Sequence, residues 1–386
     1  MRISNAARLI WSKRKFATRG VAVAAFLALI SCGNTSKSPV TIVMGRDVVI
    51  EGIRGNAMSL TAVPHGGFVV AGGSWAVATD ADGAVLWRYA DADAGLTPES
   101  YRQSEFHGVV PLNNGNILLC GQERTAHDSA ALVTILDSSG RLVEKRLLHP
   151  PGPYQYSAVR FERCLRWDDG VAVIGSMAAN INRFDWLMKL DGNGTKQWDL
   201  FDYQLAGIDA VETANHNLVT ASGSMVTGSD SMKLVQVNPQ GHRVTTKELP
   251  VSNDNMVRSA APASTLNVLT NINRENTAVL TLNDKFEEIA PPWRTQIPVS
   301  GDGFAWVLWD GSLAVFDHVY AQSGADRACI SRIRSGERSY EMLAFPLPTP
   351  QSRSERLFDA VPISANTFVA VRDLDGSVAL SWVTFK

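Results

Sequence analysis

Short apolar runs, each entered through a Gly, Asn, His or Thr turn position, recur along the chain from residue 67 to its C-terminus. The copies are Gly67-FVVAGG, Gly115-NILLCG, Gly170-VAVIGS, His216-NLVTAS, Thr265-LNVLTN, Gly311-SLAVFD and Asn366-TFVAVR, and their starts lie 48, 55, 46, 49, 46 and 55 residues apart. A run this short, bounded by turn residues, has the length of a buried strand rather than a helix. A second element follows each of the early copies: an alternating strand, a tight turn, then another strand. Trp75-AVATDADGAVLWRY89, Ala131-LVTILDSSGRLVEKR146, Asp185-WLMKLDGNGTKQWDL200 and Lys233-LVQVNPQGHRVTTKEL249 show it. Gly83, Gly140, Gly194 and Gly241 stand where such a hairpin needs positive φ, which Gly adopts without a Cβ clash. Asp80, Asp137, Asp191 and Asn238 lie three positions earlier, where a side-chain oxygen reaches the turn backbone. In Val279-LTLNDKFEEI289 the turn Gly is lost to Phe286. The register predicts hairpins with Val, Leu and Ala on one face and polar residues on the other.

A leading strand precedes several copies: Phe106-HGVVPL112, Tyr156-SAVRF161 and Leu357-FDAVPI363. Four strands per repeat of 40–50 residues is the pattern of an all-β chain folded as a β-propeller. Seven four-stranded blades account for the seven copies, with six or eight as alternatives because the sixth unit carries an irregular insertion. The last unit reaches Lys386 after three strands, while Val40-TIVMGRDVVIEG52 stands unpaired before the first. The expectation is that segment 40–52 supplies the missing outer strand and removes an exposed edge. Trp87 and Trp198, at matching places after the hairpin Gly, are expected to pack between blades; Trp306 and Trp309 are candidates for packing or binding.

The first forty residues follow another pattern. Arg2, Arg8, Lys13, Arg14, Lys15 and Arg19 precede the apolar run Val21–Ile30, with no acidic residue before Ser31. A basic segment and a short apolar one make a secretory signal, and spanning a bilayer as a helix needs about 20 apolar residues. Ser12-Lys13-Arg14-Lys15-Phe16 reads as an ordinary basic n-region, with a twin-arginine export motif as the alternative. Leu29-Ile30-Ser31-Cys32 resembles the bacterial lipobox, which implies acylation of Cys32 and its exposure as the new N-terminus. Gly33, in place of the Asp that retains such proteins in the inner membrane, implies the outer membrane. The organisation expected is a signal peptide over 1–31, a lipidated Cys and polar tether over 32–39, and one propeller domain over 40–386.

Composition narrows the function. A 45% hydrophobic, 19% charged chain is not a disordered one. Removing the six basic residues of the signal from the 36 Lys and Arg leaves 30 against 38 acidic residues, a formal charge of −8. That excludes the basic footprint of a nucleic-acid binder and favours a basic protein partner. Cys120, Cys164 and Cys329 read as small buried hydrophobes, with adjacency of Cys120 and Cys164 as the alternative. The seven His show no paired metal spacing, and Asp80-Ala-Asp82-Gly83 suits a hairpin turn better than a calcium loop, which needs a bidentate Glu near position 12. No metal, no cofactor and no catalytic residue are expected.

The repeats FVVAGG and DWLMKLDGNGTKQW are similar to those of the bacterial quinoprotein-dehydrogenase-like propeller superfamily, over most of residues 57–250 and most closely at 170–200. An enzyme of that group implies a vicinal disulfide, a tryptophan floor and a bound Ca²⁺; this chain has no adjacent Cys pair. A lipoprotein propeller also resembles the propeller subunit of the outer-membrane β-barrel assembly machinery, although the regular Ala-x-Asp…Gly…Trp pattern of that subunit is missing from the blades here. Binding is expected on inter-strand loops rich in Tyr, Arg and Pro, over residues 90–105, 149–156, 317–327 and 345–356. Tyr101, Arg102, Tyr154, Tyr156, His318, Tyr320 and Arg327 are the candidate contact residues. The expected function is a non-enzymatic protein-binding module, an envelope scaffold or assembly factor, anchored by its lipid to the outer membrane and facing the periplasm, as a monomer or in a hetero-complex. The alternatives are an immunity or inhibitor protein neutralising a secreted toxin or lipase, and a quinoprotein-like enzyme or ligand sensor.

Overall fold

The computed structural model describes residues 42–386 except 55–56, 92–101, 126–127, 151–157, 180–181, 203–208, 223–231, 250–251, 259–263, 274–275, 296–303, 321–325, 335–339, 345–354 and 375–376. The described residues form strands and turns, arranged as a seven-bladed β-propeller. The first strand, β1 (Ile42–Arg54), belongs to the last blade. Blade 1 is β2 (Ser59–Ala62), β3 (Phe68–Gly72), β4 (Trp75–Thr79) and β5 (Val85–Ala90). Blade 2 is β6 (Arg102–Pro111), β7 (Ile117–Thr125), β8 (Ser129–Leu136) and β9 (Leu142–Leu148). Blade 3 is β10 (Ala158–Trp167), β11 (Gly170–Ala179), β12 (Asn182–Leu190) and β13 (Lys196–Asp202); blade 4 is β14 (Asp209–Glu212), β15 (Leu218–Ser222), β16 (Met232–Val237) and β17 (Arg243–Leu249). Blade 5 is β18 (Ser252–Arg258), β19 (Leu266–Asn273), β20 (Asn276–Leu282) and β21 (Glu288–Thr295); blade 6 is β22 (Phe304–Val307), β23 (Leu313–Tyr320), β24 (Asp326–Ile333) and β25 (Tyr340–Ala344). Blade 7 is β26 (Glu355–Pro362), β27 (Thr367–Leu374) and β28 (Ser377–Phe385), completed by β1.

The ring closes as the unpaired segment anticipated. β1 lies antiparallel to β28, with Ile42 opposite Phe385 and Val48 opposite Leu380, two residues later along the chain than the expected 40–52. Seven apolar clusters hold the blades, one at each interface between neighbours. The closing interface, for instance, buries Ile50 and Trp382 of blade 7 against Phe68 and Val77 of blade 1. This corrects the two-faced reading of the hairpins: β8 is buried at every position and β4 likewise, because each blade is covered on both faces. The outer strand keeps an alternation of exposure, as in β5.

Five of the described hairpins between third and fourth strands are tied in the same way. One side-chain oxygen of Asp80, Asp137, Asp191, Asn238 or Asn283 accepts two backbone N–H groups, two and four residues on. The next residue to matter has φ of +82 to +90° in the four Gly hairpins. A blade then packs on its neighbour's turn. The Trp87 indole donates to Ser138 O at 3.0 Å and lies over Gly140; Trp198 donates to Pro239 O at 2.9 Å and lies over Gly241. Between blades 4 and 5 the bulk has changed sides: Thr245 stands where Trp87 and Trp198 stand in their blades, and the turn residue is Phe286, at φ +61° and 1% exposed.

Alternating strand direction sorts the connections. Turns between first and second strands, and between third and fourth, leave one face, here the turn face. The remaining connections leave the opposite, connection face, where Asp91 N bonds Ser74 O and Phe106 N bonds Gly73 O. Both Ile42, where β1 begins, and Phe385, where β28 ends, lie at the turn face.

Candidate functional site

The first strand of each blade lines the centre of the ring, and its register sets which side chains meet there. β-bulges displace it between Phe106 and Gly108, between Phe161 and Arg163, and between Leu357 and Asp359. A bulge re-aims the side chain that follows it. Opposite equivalent positions of the second strands stand Ser59, Gly108, Arg163, Asp209, Asn255, Phe304 and Asp359, one per blade. Five of these seven positions carry a polar side chain, and Gly108 and Phe304 take the other two.

Two ion pairs link blades at or beside this level. Arg258 Nη1 of blade 5 donates to Asp359 Oδ1 of blade 7 at 2.6 Å, and Leu60 N of blade 1 donates to Oδ2 at 3.0 Å. The Arg163 guanidinium of blade 3 donates to the Asp209 carboxylate of blade 4. Each Asp also accepts the N–H of the residue after it, Ala210 at 2.9 Å and Ala360 at 3.0 Å. Burial, and then the neighbouring Arg258 charge, pull Arg163 down to about 9, against the opposing pull of Asp359. It stays cationic at neutral pH. Two cations and two anions from four blades thus neutralise one another, which is what a buried charge requires.

Nearer the connection face, blades 1 to 3 carry a patch of carboxylates. His107 is buried; its Nδ1 donates to Phe161 O at 2.9 Å and its Nε2 lies 3.7 Å from Glu105 Oε2. The adjoining His107 imidazole, aided by the Gln122 amide and the Arg124 charge, holds Glu105 down at about 2 despite the cost of partial burial. Glu162 accepts Arg160 Nε at 2.6 Å and Ser176 Oγ at 2.8 Å. Lys145 bridges Asp91 at 2.7 Å and Glu123 at 2.8 Å; burial works against its ammonium, but the two carboxylates outweigh that and raise its pKa. Of these carboxylates Glu105 is 34% and Glu162 20% exposed, while Asp91 and Glu123 are buried against Lys145.

Beneath it, the Gly108 Cα stands against two thiols. A Cβ there would lie 2.7 Å from Cys120 Sγ and 2.9 Å from Cys164 Sγ, so the two sulfurs occupy the space that a side chain would need. Both are buried and unbonded, and burial with the adjoining Cys164 thiol pushes Cys120 far above the ordinary thiol range. A cavity of about 250 Å³ opens at the turn face between blades 4 and 5, over Val219, Leu266 and Phe286. Its polar rim is engaged in its own turns: Thr213 Oγ1 donates to Asn217 O, and Asn283 holds its hairpin.

Cys32, Tyr101, Tyr154 and Tyr156 lie outside the described residues. Arg102 opens β6, His318 and Tyr320 end β23, and Arg327 is the second residue of β24; their side chains lie outside the described set. The loops expected over 90–105 and 317–327 are shorter than anticipated, because strand pairing continues to Arg102 opposite Thr125 and to Tyr320 opposite Asp326. Trp306 packs beside Phe368, 6.0 Å between ring centroids, whereas Trp309 is half exposed under the Arg332 guanidinium. Sequence reasoning missed Glu105, His107, Glu162 and the Arg–Asp layer. The available signal was the run of ionisable residues inside the leading strands β6, β10 and β26.

No family model matches the chain, and no curated protein matches it. Among solved structures it is similar to a protein of unknown function from Dyadobacter fermentans, at 11% identity over 90% of this chain and 100% of that one, with a TM-score of 0.49. It is also similar to the Hadza microbial sialidase Hz136, at 12% identity over 71% of this chain and 64% of that one, TM-score 0.45. A protein of unknown function from Bacteroides caccae matches at 12% identity over 62% of this chain and 81% of that one, TM-score 0.34.

Proposed function

We propose that the protein is a non-enzymatic binding module: a propeller anchored to the outer membrane through acylated Cys32, which faces the periplasm and holds a basic protein partner on its connection face as an envelope scaffold or assembly factor. The observation that carries this reading is the carboxylate patch on blades 1 to 3, where Glu105 and Glu162 stand in paired strands with side chains 34% and 20% exposed, over the buried Asp91 and Glu123 that Lys145 bridges. Ionised groups held at a rigid rim steer an oppositely charged protein and set its register. The formal charge of −8 after signal removal supports the same partner chemistry.

Photo-cross-linkers placed singly at Asp128, on the connection side, and at Gln240, on a turn, test it in the mature chain in its own membrane. Adducts with one basic protein from Asp128, lost at high salt and absent from Gln240, are expected. Adducts from Gln240 alone, or turnover of a substrate by the purified chain that Glu105→Gln abolishes, would overturn the reading. An adduct with a secreted toxin or lipase would move the role to immunity.

A further inference from the structure

We infer that the turn face is apposed to the lipid bilayer, so that the connection face points away from it. The inference rests on the proposed acylation of Cys32 and goes beyond it by deciding which side of the propeller meets the membrane.

Chain entry carries the argument. β1 starts at Ile42 opposite Phe385, so the polypeptide enters the propeller at the turn face. Nine residues, 33–41, separate that point from Cys32, a reach of at most about 33–36 Å when fully extended. A blade strand such as β28, with nine residues, is itself about 30 Å long. A tether that first had to pass along the blade to the connection face would use nearly all of its length on the way, even fully stretched. An anchor at Cys32 therefore draws the turn face toward the membrane.

The surface found there fits that neighbour. Leu86, Val143, Val244 and Ile289 occupy the same position, three residues after the hairpin Gly or Phe, in blades 1, 2, 4 and 5, and each is 51–63% exposed. Gln197 takes the place in blade 3. Trp309 and Ile363, on turns of blades 6 and 7, add exposed apolar surface on the same side. An aromatic ring and scattered aliphatics suit the head-group boundary of a bilayer. The charges on these turns are of both signs, with Arg141 and Lys285 exposed as well as Asp82 and Asp169. Apposition then depends on the tether and the apolar rim, and added salt leaves it unchanged.

Single cysteines at Gln240, on a turn, and Asp128, on the connection side, give sites for a fluorophore. The three native thiols of the propeller are buried and stay unlabelled in the folded chain. The acylated chain is reconstituted in vesicles of phosphatidylethanolamine and phosphatidylglycerol that contain a head-group-proximal spin-labelled lipid as quencher. Several-fold stronger quenching at Gln240 than at Asp128, equal at low and high salt, is expected, with the ratio reduced in Leu86→Glu/Val244→Glu. Equal quenching at the two sites, or stronger quenching at Asp128, would overturn the orientation. The mass of the N-terminal peptide separates the two failures: an unacylated Cys32 sinks the anchor and the orientation together, whereas equal quenching with an acylated Cys32 sinks the orientation and leaves partner capture at the connection face standing.

Discussion

Gly140 and Gly115 have nearly the same backbone, at φ +82° and +83°, yet differ in surroundings. A Cβ on Gly115 meets nothing within 4 Å, while one on Gly140 would lie 2.5 Å from the Trp87 ring. Gly115→Ala pays the left-handed backbone cost alone, about 1–2 kcal/mol. Gly140→Ala adds overpacking of about 1–3 kcal/mol against a ring fixed by its bond to Ser138 O. Urea unfolding should rank the two accordingly, and in a Trp87→Ala background the excess for Gly140→Ala should vanish. The two substitutions costing the same would disprove the Trp87 contact. The hairpin glycines and their Asp or Asn partners were legible in sequence, because local turn chemistry needs no tertiary help. Phe286 was legible only as an anomaly. Its positive φ is tolerated because the ring is buried in the interface of blades 4 and 5 with Val219, Leu249 and Leu266, where Thr245 leaves room.

At the scale of elements, closure hangs on β1. Without it, β28 would present an unpaired edge, with Trp382, Val383 and Phe385 at the margin of two interface clusters. An uncovered edge strand of this kind pairs with other chains. A chain starting at residue 55 is expected to aggregate, and a peptide of residues 40–54 added during refolding should restore a single cooperative thermal transition. A soluble, cooperatively folding chain from residue 55 without the peptide would show that closure does not depend on β1. The strand itself was readable as an alternating segment left over when seven units were counted. Its exact register was not, since pairing with β28 contains two irregularities that only the neighbouring strand defines.

At the scale of the whole molecule, the Arg–Asp layer links blades far apart in sequence: Arg258 and Asp359 are 101 residues apart, and Leu60 and Asp359 are 299 apart. Asp359→Ala leaves Arg258 without its carboxylate, and breaking a buried pair in this way costs about 3–5 kcal/mol. Arg258→Met/Asp359→Leu should cost less than the sum of the single changes, measured by chemical denaturation, because neither partner is then left charged and alone. Strict additivity would show that the two do not act as a pair. No inspection of spacing finds this layer. Its members come from four strands, and nothing in any one strand says which polar residue meets which until the ring brings the strands together.

The repeat, its four strands, the turn residues and the closing segment were determined by sequence alone, because they follow from local backbone preferences and from the period of apolar positions. Tertiary structure decided the rest. Stacking blades buries both sheet faces, which is why the third strands lost their expected polar side. Bulges in the first strands re-aimed Arg163 and Asp359, and ring closure made their charges neighbours of Asp209 and Arg258. The carboxylate patch of Glu105 and Glu162 around His107 arose in the same way, from two blades whose strands approach one another only because seven interfaces fix the circumference. Electrostatic partners of this sort are set by distance in space, and a linear pattern of residues does not contain it.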